Sequence, residues 1–519
     1  MTSAQIQMAP PRRRAFRLGL AGTAAVLLLL AAPSRGSDWP HYRGPTHDGV
    51  SSERILKTWP SGGPRRLWKK SLPDGFGSFA VSGGRAYTAV KRIVEGTPSE
   101  VFVALDADTG TELWARSVGP AAPGGGSGEG DGPRSTPTVD GDLLYVLNAY
   151  VSLFCLKTND GSVVWQRDLM SEFGGHGPDF EAAASPLVVG DLVLLVGPTG
   201  GNGQRLFGID KRDGHTVWEG PSAILTHSTP VVTTLHGVRQ ALLFTGGGVL
   251  SVVPESGQEL WRYAFTVGIP TAIAPVVAGD VVYHSAAYNT GARAARIART
   301  GETFRATELW RKRNELINFW STPVVHQGHL YGLYGHDYGV SAPLKCVELV
   351  TGTEKWSQPN FGPGQVLLVD GTILLLTADG KLILVEPTPT AYKELARCQA
   401  VSGKCWNVPA VSRGRIYARS TKEGVCLDVS VPPPAPWRVV SPARLADGGL
   451  RFGLTCTDGS ALTTGRAARL QVLASPSLGT HPVAWTPLAT AVISADGTVA
   501  IPPEQAGAPQ GFLMVRELE

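Results

Sequence analysis

Seven residues that stand just before short, Val-rich strands have side chains that could hold a ligand together. Two are cations suited to carboxylates, two are tryptophans suited to a flat ring, and three offer oxygen or nitrogen donors. These residues are Arg134, Glu181, His227, Asn318, Trp320, Lys404 and Trp406. The oxygens of Glu181 and Asn318 are of the kind that calcium prefers. The alternative is that each group bonds to a neighbouring element or lines a wet channel.

Other patterns that would carry catalysis or phosphate binding are missing. The sequence has no His-Glu-x-x-His pair and no serine nucleophile elbow. His326, His329 and His336 do not have the spacing of a zinc-binding helix. Gly200-Gly201-Asn202-Gly203 lacks the Lys-Ser/Thr that would follow in a phosphate-binding loop, so it predicts a hairpin loop. We therefore expect no protein-bound catalytic metal of these types.

A repeat supplies the elements that must position the seven residues. An apolar strand, a turn ending in Gly and a Trp four residues after that Gly recur along the chain. The clearest copy is Leu105-Asp106-Ala107-Asp108-Thr109-Gly110 with Trp114. Further copies, one of them with a longer turn, contain Trp165, Trp218, Trp261, Trp310 and Trp356. Their separation of 43 to 53 residues is typical of propeller blades.

A second pattern precedes each Trp strand and predicts how the chain folds between them. It consists of a Ser/Thr/Ala-Pro step, a short Val-rich strand, a Gly turn and another strand, as in Ser135-Thr136-Pro137 to Gly141-Asp142. Pro opens the inner strand, where no ladder donor is lost, and Gly supplies the positive φ of each hairpin. A four-stranded antiparallel meander cannot bury both faces alone, so the repeats must stack around an axis. This predicts an all-β propeller.

The number of meanders predicts eight blades within residues 37–431. The last meander, Val408 to Val429, has no closing Trp strand, whereas Arg66-Leu67-Trp68-Lys69-Lys70 resembles a Trp strand with no meander before it. We expect the strand around Trp68 to complete the eighth blade and close the ring, leaving no open sheet edge. Seven blades is the alternative, if the degenerate copy near Pro387 is an insertion.

Residues 1–36 are predicted to be a signal peptide. They contain five arginines and no acidic residue, and Leu18 to Ala32 is apolar but shorter than a typical membrane span. Small residues precede the expected cleavage before Ser37; a retained anchor is the alternative. Arg13-Arg14 also resembles the twin-arginine export signal. We expect a bacterial protein that is periplasmic or secreted, with no membrane span in the mature chain.

Charge excludes one class of partner. The formal net charge of +4 comes from the arginines of the first 36 residues, and the rest of the chain has nearly equal numbers of basic and acidic residues. No basic run follows, so the electrostatic footprint of a nucleic-acid-binding protein is missing.

Beyond the repeat, the sequence predicts a separate small module. Residues 432–436 form a Pro-rich linker, which should be stiff and extended. Residues 437–519 lack the Trp repeat but keep short alternating strands, which predict a small C-terminal β-sandwich-like module.

Five of the six cysteines fall into two groups, and Cys456 has no obvious partner. Cys155, Cys346 and Cys426 occupy a repeat position that other copies fill with Ala, Gly or Ser, so we interpret them as small buried residues. Cys398 and Cys405 could form a disulfide in an oxidising compartment, or stay free.

The Leu-Asp-x-x-Thr-Gly-x-x-x-Trp element of residues 105–114 and its copies resemble the repeat of pyrroloquinoline-quinone-like, or quinoprotein-like, β-propellers. Residues 38–45 and 402–406 resemble the opening and closing segments of an exported branch of that family. The resemblance covers residues 38 to about 430 and implies the propeller fold. The family includes quinone-dependent dehydrogenases and the non-catalytic propeller lipoprotein of outer-membrane barrel assembly.

Two functions are implied by this resemblance. The first is a monomeric, non-catalytic propeller that binds or scaffolds a protein or cell-envelope partner. The alternative is a pyrroloquinoline-quinone- and calcium-dependent dehydrogenase of alcohols or sugars, in which Arg134 and Lys404 would hold the quinone carboxylates and Trp320 or Trp406 its ring. The sequence has neither the adjacent cysteine pair nor the Cys-x-x-Cys-His segment that the family's alcohol dehydrogenases typically carry, which favours the first.

Overall fold

A computed structural model describes most of the chain. The described residues are 24–28, 37–122, 132–174, 181–201, 203–267, 271–288, 290–335, 342–432, 435, 437–475, 486–503 and 511–517. They belong to two compact units, one of Gly36–Val431 and one of Met1–Arg35 with Pro432–Glu519. His336, Asn202, most of the predicted signal peptide and three residues of the Pro-rich linker lie outside the described residues.

The unit Gly36–Val431 is built from antiparallel sheets in chain order, numbered here sheet 1 to sheet 8. Sheets 1 to 4 comprise β4 (Ala80–Ser82), β5 (Arg85–Val94), β6 (Thr97–Asp106), β7 (Glu112–Pro120); β8 (Thr138–Asp140), β9 (Leu143–Leu147), β10 (Ser152–Lys157), β11 (Val163–Asp168); β12 (Leu187–Val189), β13 (Leu192–Pro198), β14 (Gln204–Asp210), β15 (Thr216–Ser222); and β16 (Val231–Leu235), β17 (Val238–Thr245), β18 (Gly248–Val252), β19 (Glu259–Ala264).

Sheets 5 to 8 continue the same meander. They comprise β20 (Val276–Ala278), β21 (Val281–Ala286), β22 (Gly291–Thr300), β23 (Thr303–Lys312); β24 (Val324–His326), β25 (His329–Leu333), β26 (Leu344–Glu348), β27 (Glu354–Gln358); β28 (Gly364–Val369), β29 (Thr372–Thr377), β30 (Lys381–Val385), β31 (Glu394–Gln399); and β32 (Ala410–Ser412), β33 (Arg415–Arg419), β34 (Glu423–Asp428), β3 (Arg65–Ser71). Two short additions are β2 (Val50–Ser51), on the free edge of β28, and α1 (Leu169–Phe173), between sheets 2 and 3.

These sheets form the β-propeller that the repeat predicts. The inner strand of sheet 1, β4, contacts the inner strands of both sheet 2 and sheet 8, so the first and last sheets meet. The outer strand of sheet 8 is β3, in which Trp68 lies opposite Cys426 of β34. This is the pairing that closure of the ring requires. The described residues of the unit contain eight sheets, which supports eight blades over seven.

In several places a tryptophan joins one sheet to the next. Trp114 of β7 donates its Nε1–H to the carbonyl of Thr158 in sheet 2 at 3.0 Å, and Trp165 of β11 repeats this with Lys211 of sheet 3 at 3.1 Å. Where the ring of the preceding sheet's Trp lies against the turn residue, as at Gly161 and Gly214, that residue must be Gly. The spacing of Gly and Trp in the sequence is therefore the spacing of a contact made between sheets.

The cysteine interpretation is confirmed for the repeat positions. Cys155, Cys346 and Cys426 are buried and each lies between a Tyr and a Trp on the neighbouring strands of its sheet. All six cysteines are free thiols, so Cys398 and Cys405 are not joined in this structure.

The second unit contains two four-stranded sheets that share one apolar core. One has the order β35 (Trp437–Arg444), β36 (Leu450–Cys456), β40 (Thr498–Ile501), β39 (Val492–Ile493); the other has the order β1 (Ala24–Leu28), β41 (Gly511–Glu517), β37 (Leu470–Ser475), β38 (Thr486–Pro487). A helical turn, α2 (Thr464–Ala467), lies between β36 and β37. Phe452 and Val499 of the first sheet pack with Val472 and Val515 of the second. This is the predicted sandwich-like arrangement.

β1 lies inside the segment predicted as a signal peptide. It pairs in parallel with β41, from Ala24 opposite Gly511 to Leu28 opposite Val515. An open edge such as that of β41 offers backbone partners to an apolar segment. Among the described residues, no helix has the length and apolar character that crossing a membrane requires.

Candidate functional site

The seven candidate residues all lie at one end of the propeller. In an antiparallel meander, the connection into the first strand and the connection between the second and third strands leave the sheet at the same end. Arg134, Glu181 and His227 lie in the connections to β8, β12 and β16; Asn318 and Trp320 lie in that to β24, and Lys404 and Trp406 in that to β32. We call this end the mouth.

Arg134 and Glu181 form an ion pair between successive sheets at the mouth. Arg134 Nη1 donates to Glu181 Oε2 at 2.8 Å, and the two side chains are 17% and 23% exposed. The buried carboxyl of Glu100 lies near them and accepts a hydrogen bond from the N–H of Ala149 at 3.2 Å. Burial raises the pKa of Glu100 to about 7; Ala149 and Arg134 oppose this and Glu181 adds to it. Glu100 can therefore exchange a proton near neutral pH.

Trp320 and Trp406 are brought together in a row of aromatic rings. Their ring centroids are 5.0 Å apart at an interplanar angle of 32°. Phe76 stacks on Trp406 at 4.8 Å and 19°, and Phe319 lies 4.7 Å from Trp320. Gln365 Nε2 donates to the backbone carbonyls of both tryptophans, at 2.9 Å each. The two tryptophans thus pack on each other and share one amide donor.

Lys404 belongs to the same cluster. Its Nζ lies 4.6 Å from the centre of the Trp406 ring, a distance at which the cation is attracted to the face of an aromatic ring. Trp406 is therefore packed against Phe76 and Trp320 and also carries this lysine.

Asn318 is turned into the interior of the protein. Its Oδ1 accepts a hydrogen bond from the hydroxyl of Tyr283 at 2.6 Å, and its Nδ2 donates to the carbonyl of Leu333 at 2.8 Å. Its backbone N–H donates to Ser285 Oγ at 2.9 Å, and the residue is fully buried. Asn318 therefore ties sheets 5 and 6 together. His227 lies in the connection from β15 to β16, in a different connection from both the ion pair and the aromatic row.

Several residues of the mouth were not found from the sequence. Phe76 precedes the first inner strand as Arg134 precedes the second, so an alignment of these connections would have found it. Glu100 and Gln365 lie within strands β6 and β28, where no motif distinguishes them. Their roles depend on contacts with residues far away in the chain.

The other end of the channel is crossed by residues 38–51, which we call the strap. It pairs with inner strands across the ring: Trp39 with Val81 of β4, Pro40 with Val139 of β8, and Val50 with Leu368 of β28. Arg43 is 1% exposed. Its guanidinium donates to four backbone carbonyls, those of Asp48 (2.8 Å), Thr322 (3.2 Å), Val366 (3.3 Å) and Pro323 (3.4 Å). A cavity of about 230 Å³ lies between the strap and the inner strands of sheets 4 to 6.

Two histidines of the strap stack on each other. The ring centroids of His41 and His47 are 3.9 Å apart and the rings are nearly parallel, at 8°. Burial lowers the pKa of His41 to about 4 and, with the charge of His41 adding to the effect, that of His47 to about 3. The pair is therefore neutral at the pH of most compartments.

The residues at the mouth do not fit a quinone held by calcium. Trp406, proposed as a ring platform, is stacked with Phe76 and packed against Trp320. The oxygens proposed for calcium are engaged by the protein, Glu181 Oε2 by Arg134 and Asn318 Oδ1 by Tyr283.

One group of possible metal ligands occurs elsewhere among the described residues. Ligand atoms of Asp210, Asp213 and His215 lie within 4.8 Å of one another, in the turn between β14 and β15. Asp210 is paired with Arg212 and Asp213 with His215. This turn leaves sheet 3 at the end opposite to the mouth, so it adds nothing to the candidate site.

Comparison with known proteins gives the family and the fold. A family model described as outer membrane protein assembly factor BamB matches residues 98–358, just over half of the chain. The outer membrane protein assembly factor BamB of Moranella endobia is 25% identical over 347 residues, which is 62% of this chain and 69% of that protein.

Two solved structures show the same fold. BamB from Moraxella catarrhalis superimposes with a TM-score of 0.50 at 14% identity, over 70% of this chain and 97% of that one. The quinohemoprotein alcohol dehydrogenase of Comamonas testosteroni superimposes with a TM-score of 0.53 at 12% identity, over 79% and 83%. At such identities the likeness shows the propeller fold alone, because one fold supports many functions.

Proposed function

The chain belongs to the family described as outer membrane protein assembly factor BamB, and from this membership we propose that it is an exported, non-catalytic propeller that holds a protein partner during the assembly of outer membrane proteins. The propeller is the rigid scaffold, and the connections at the mouth provide the binding surface. Export to the cell envelope, the twin-arginine route and the monomeric state remain predictions from the sequence.

The observation that supports a binding role most directly is the packing of Trp406. A redox cofactor needs an open slot bounded by groups whose hydrogen-bonding atoms face the ligand. Here Phe76, Trp320 and Lys404 pack against Trp406. Gln365 donates hydrogen bonds to the backbone carbonyls of both tryptophans. Such packing favours a fixed aromatic surface over a cofactor pocket.

An exposed apolar side chain marks where a protein partner would contact the mouth. Ile224, in the connection from β15 to β16, is 57% exposed and is the most exposed large apolar residue of the inter-sheet connections that the structure describes. It borders a narrow cleft whose walls include Leu147, Ala182 and Phe244. Apolar residues exposed beside a cleft are usual parts of protein interfaces.

The test is complementation in a cell depleted of this chain. Depletion is expected to lower the amount of folded outer membrane β-barrel proteins, and Ile224→Asp is expected to restore less than the unchanged chain. Val350→Asp is the matched control, because Val350 is also an exposed aliphatic residue, at 42%, but lies in the turn after β26, at the opposite end. Equal restoration by both variants would place the partner surface elsewhere. Unchanged barrel proteins on depletion would contradict the proposed function itself.

A further inference from the structure

The start of the strap is fixed to sheets 1 and 8. The carbonyl of Ser37 accepts a hydrogen bond from Ser412 Oγ at 3.0 Å. Asp38 Oδ1 pairs with Arg413 at 2.8 Å, and Asp38 Oδ2 accepts from Ser82 Oγ at 2.8 Å. The backbone therefore reaches residue 37 in a defined position on the propeller.

Beside Ser37 lies the carboxyl group of Glu53, which forms no ion pair among the described residues. Glu53 Oε1 accepts a hydrogen bond from the N–H of Gly414, whereas Glu53 Oε2 is buried and has no hydrogen-bond partner among the described residues. Burial raises the pKa of Glu53, and hydrogen bonds from the Ser37 side chain and from the backbone of Gly414 and Arg413 oppose the rise.

A cation for Glu53 is missing from the described part of the chain. Arg413 acts on Glu53 through its charge, but its guanidinium is bonded to Asp38. Glu53 forms no ion pair with any described residue. A half-buried carboxylate with one unsatisfied oxygen is costly to keep, which is why each such group in a folded protein requires an explanation.

We infer that the missing cation is the amino group of the mature chain: cleavage before Ser37 creates an α-ammonium that pairs with Glu53. This rests on the predicted signal peptide and not on the proposed partner. In the cleavage, a processing peptidase adds water across the Gly36–Ser37 peptide bond; the carboxylate leaves with Gly36 and the amine remains on Ser37, where it takes up a proton at neutral pH.

Cleavage thereby completes the anchoring of the strap. In the uncleaved chain the nitrogen of Ser37 is a neutral amide and cannot balance Glu53. In the mature chain an ammonium and a carboxylate meet and form a charge-assisted hydrogen bond, which is stronger than a neutral one. The same cleavage removes β1, so β41 would become an edge strand. The exported protein is then held at Ser37, directly before the strap, by an ion pair, and further along the strap by Arg43.

The experiment combines two start points with two side chains at position 53. The mature chain is prepared starting at Ser37 and, separately, with Gly36 retained, each with Glu53 and with Glu53→Gln. We expect the chain starting at Ser37 to unfold about 2 °C higher than the Gly36 form, and the difference to vanish with Glu53→Gln. Glu302→Gln is the control, because the Glu302 side chain is 94% exposed and should leave the difference intact.

Two further measurements separate this ion pair from a general effect on folding. The pKa of the Ser37 amino group, followed by its rate of chemical labelling against pH, should lie above the usual value of about 8 and return to it in Glu53→Gln. Amino-terminal sequencing of the exported protein should begin at Ser37. A different first residue, an ordinary amino-group pKa, or a start-point effect that persists in Glu53→Gln would each overturn the inference.

Discussion

The indole ring of Trp114 lies directly over Gly161 of the next sheet, so closely that a Cβ at Gly161 would be 2.6 Å from Trp114 Cε3. The same sheet pair is joined by Arg116, whose Nε donates to the carbonyl of Gly161 at 2.8 Å. One turn residue therefore receives both the ring and the cation of the preceding outer strand. Its lack of a side chain is a condition for stacking the two sheets.

Gly161→Ala is expected to destabilise the propeller more than a comparable glycine substitution does. The new methyl group must displace the ring of Trp114, and the φ of +68° is unfavourable for Ala. We expect a loss of about 2 to 4 kcal/mol of unfolding free energy, the sum of overpacking and backbone strain. Gly141→Ala is the matched control, because its φ is +59° and nothing lies within 4 Å of its Cβ position. The measurement is denaturant unfolding of both variants. If Gly161→Ala and Gly141→Ala lose the same unfolding free energy, the contact with Trp114 contributes nothing to stability.

This relationship also explains how far the sequence could predict the fold. The spacing of Gly161 and Trp165 was sufficient to recognise the repeat, because it recurs in every well-preserved copy. That Trp165 would pack on Gly214 of the next sheet, and not on its own turn, depends on how the sheets are arranged around the axis. A repeat pattern predicts the units and their number more readily than the contacts between them.

The candidate site was less predictable for the same reason. The position before each inner strand identified Arg134 and Glu181, but their ion pair joins residues of different sheets. Asn318 had the right chemistry for a metal ligand, yet its amide is used by Tyr283 and Leu333. Residue type and local spacing indicate which end of the fold a side chain occupies, whereas its hydrogen-bond partners are set by the packing of sheets.

Replacing Arg43 should loosen the strap. Arg43→Ala removes a buried guanidinium that donates to four carbonyls, three of them in sheets 6 and 7 or the connections before them. We expect a loss of about 2 to 4 kcal/mol and faster cleavage by thermolysin within residues 38–60, since hydrogen bonds to buried charged groups are worth more than neutral ones. Lys57→Ala is the control, because Lys57 is 44% exposed and its pair with Asp370 should contribute little. Equal cleavage of both variants would contradict this role of Arg43.

Acid should weaken the protein through three buried histidines. Burial lowers the pKa of His41 to about 4 and those of His47 and His284 to about 3, from 6.5. Below pH 6.5 these histidines become protonated in the unfolded chain but stay neutral in the folded chain. The free energy of unfolding should therefore fall as the pH is lowered from about 6.5 to 4.

The double variant His41→Gln, His47→Gln isolates the contribution of the stacked pair. Urea unfolding at several pH values should show a shallower acid loss in the variant than in the unchanged chain. His215→Gln serves as the control, because His215 is 59% exposed and should leave the slope as it is. If the double variant has the same slope as the unchanged chain, the histidines of the strap do not control the acid response.

Calcium and pyrroloquinoline quinone should leave the thermal unfolding of the mature chain unchanged. Any ligand that binds the folded state raises the unfolding temperature by mass action, by an amount set by its concentration relative to its dissociation constant. Three of the side chains that would hold the quinone and the metal are instead engaged by other residues: Glu181 by Arg134, Asn318 by Tyr283, and Trp406 by neighbouring aromatic rings. Unfolding is followed with each ligand alone and with both together, far above any useful affinity. A rise that requires both, and that is lost in Trp406→Ala, would show that this packing opens to admit the cofactor and would favour a dehydrogenase over the proposed assembly factor.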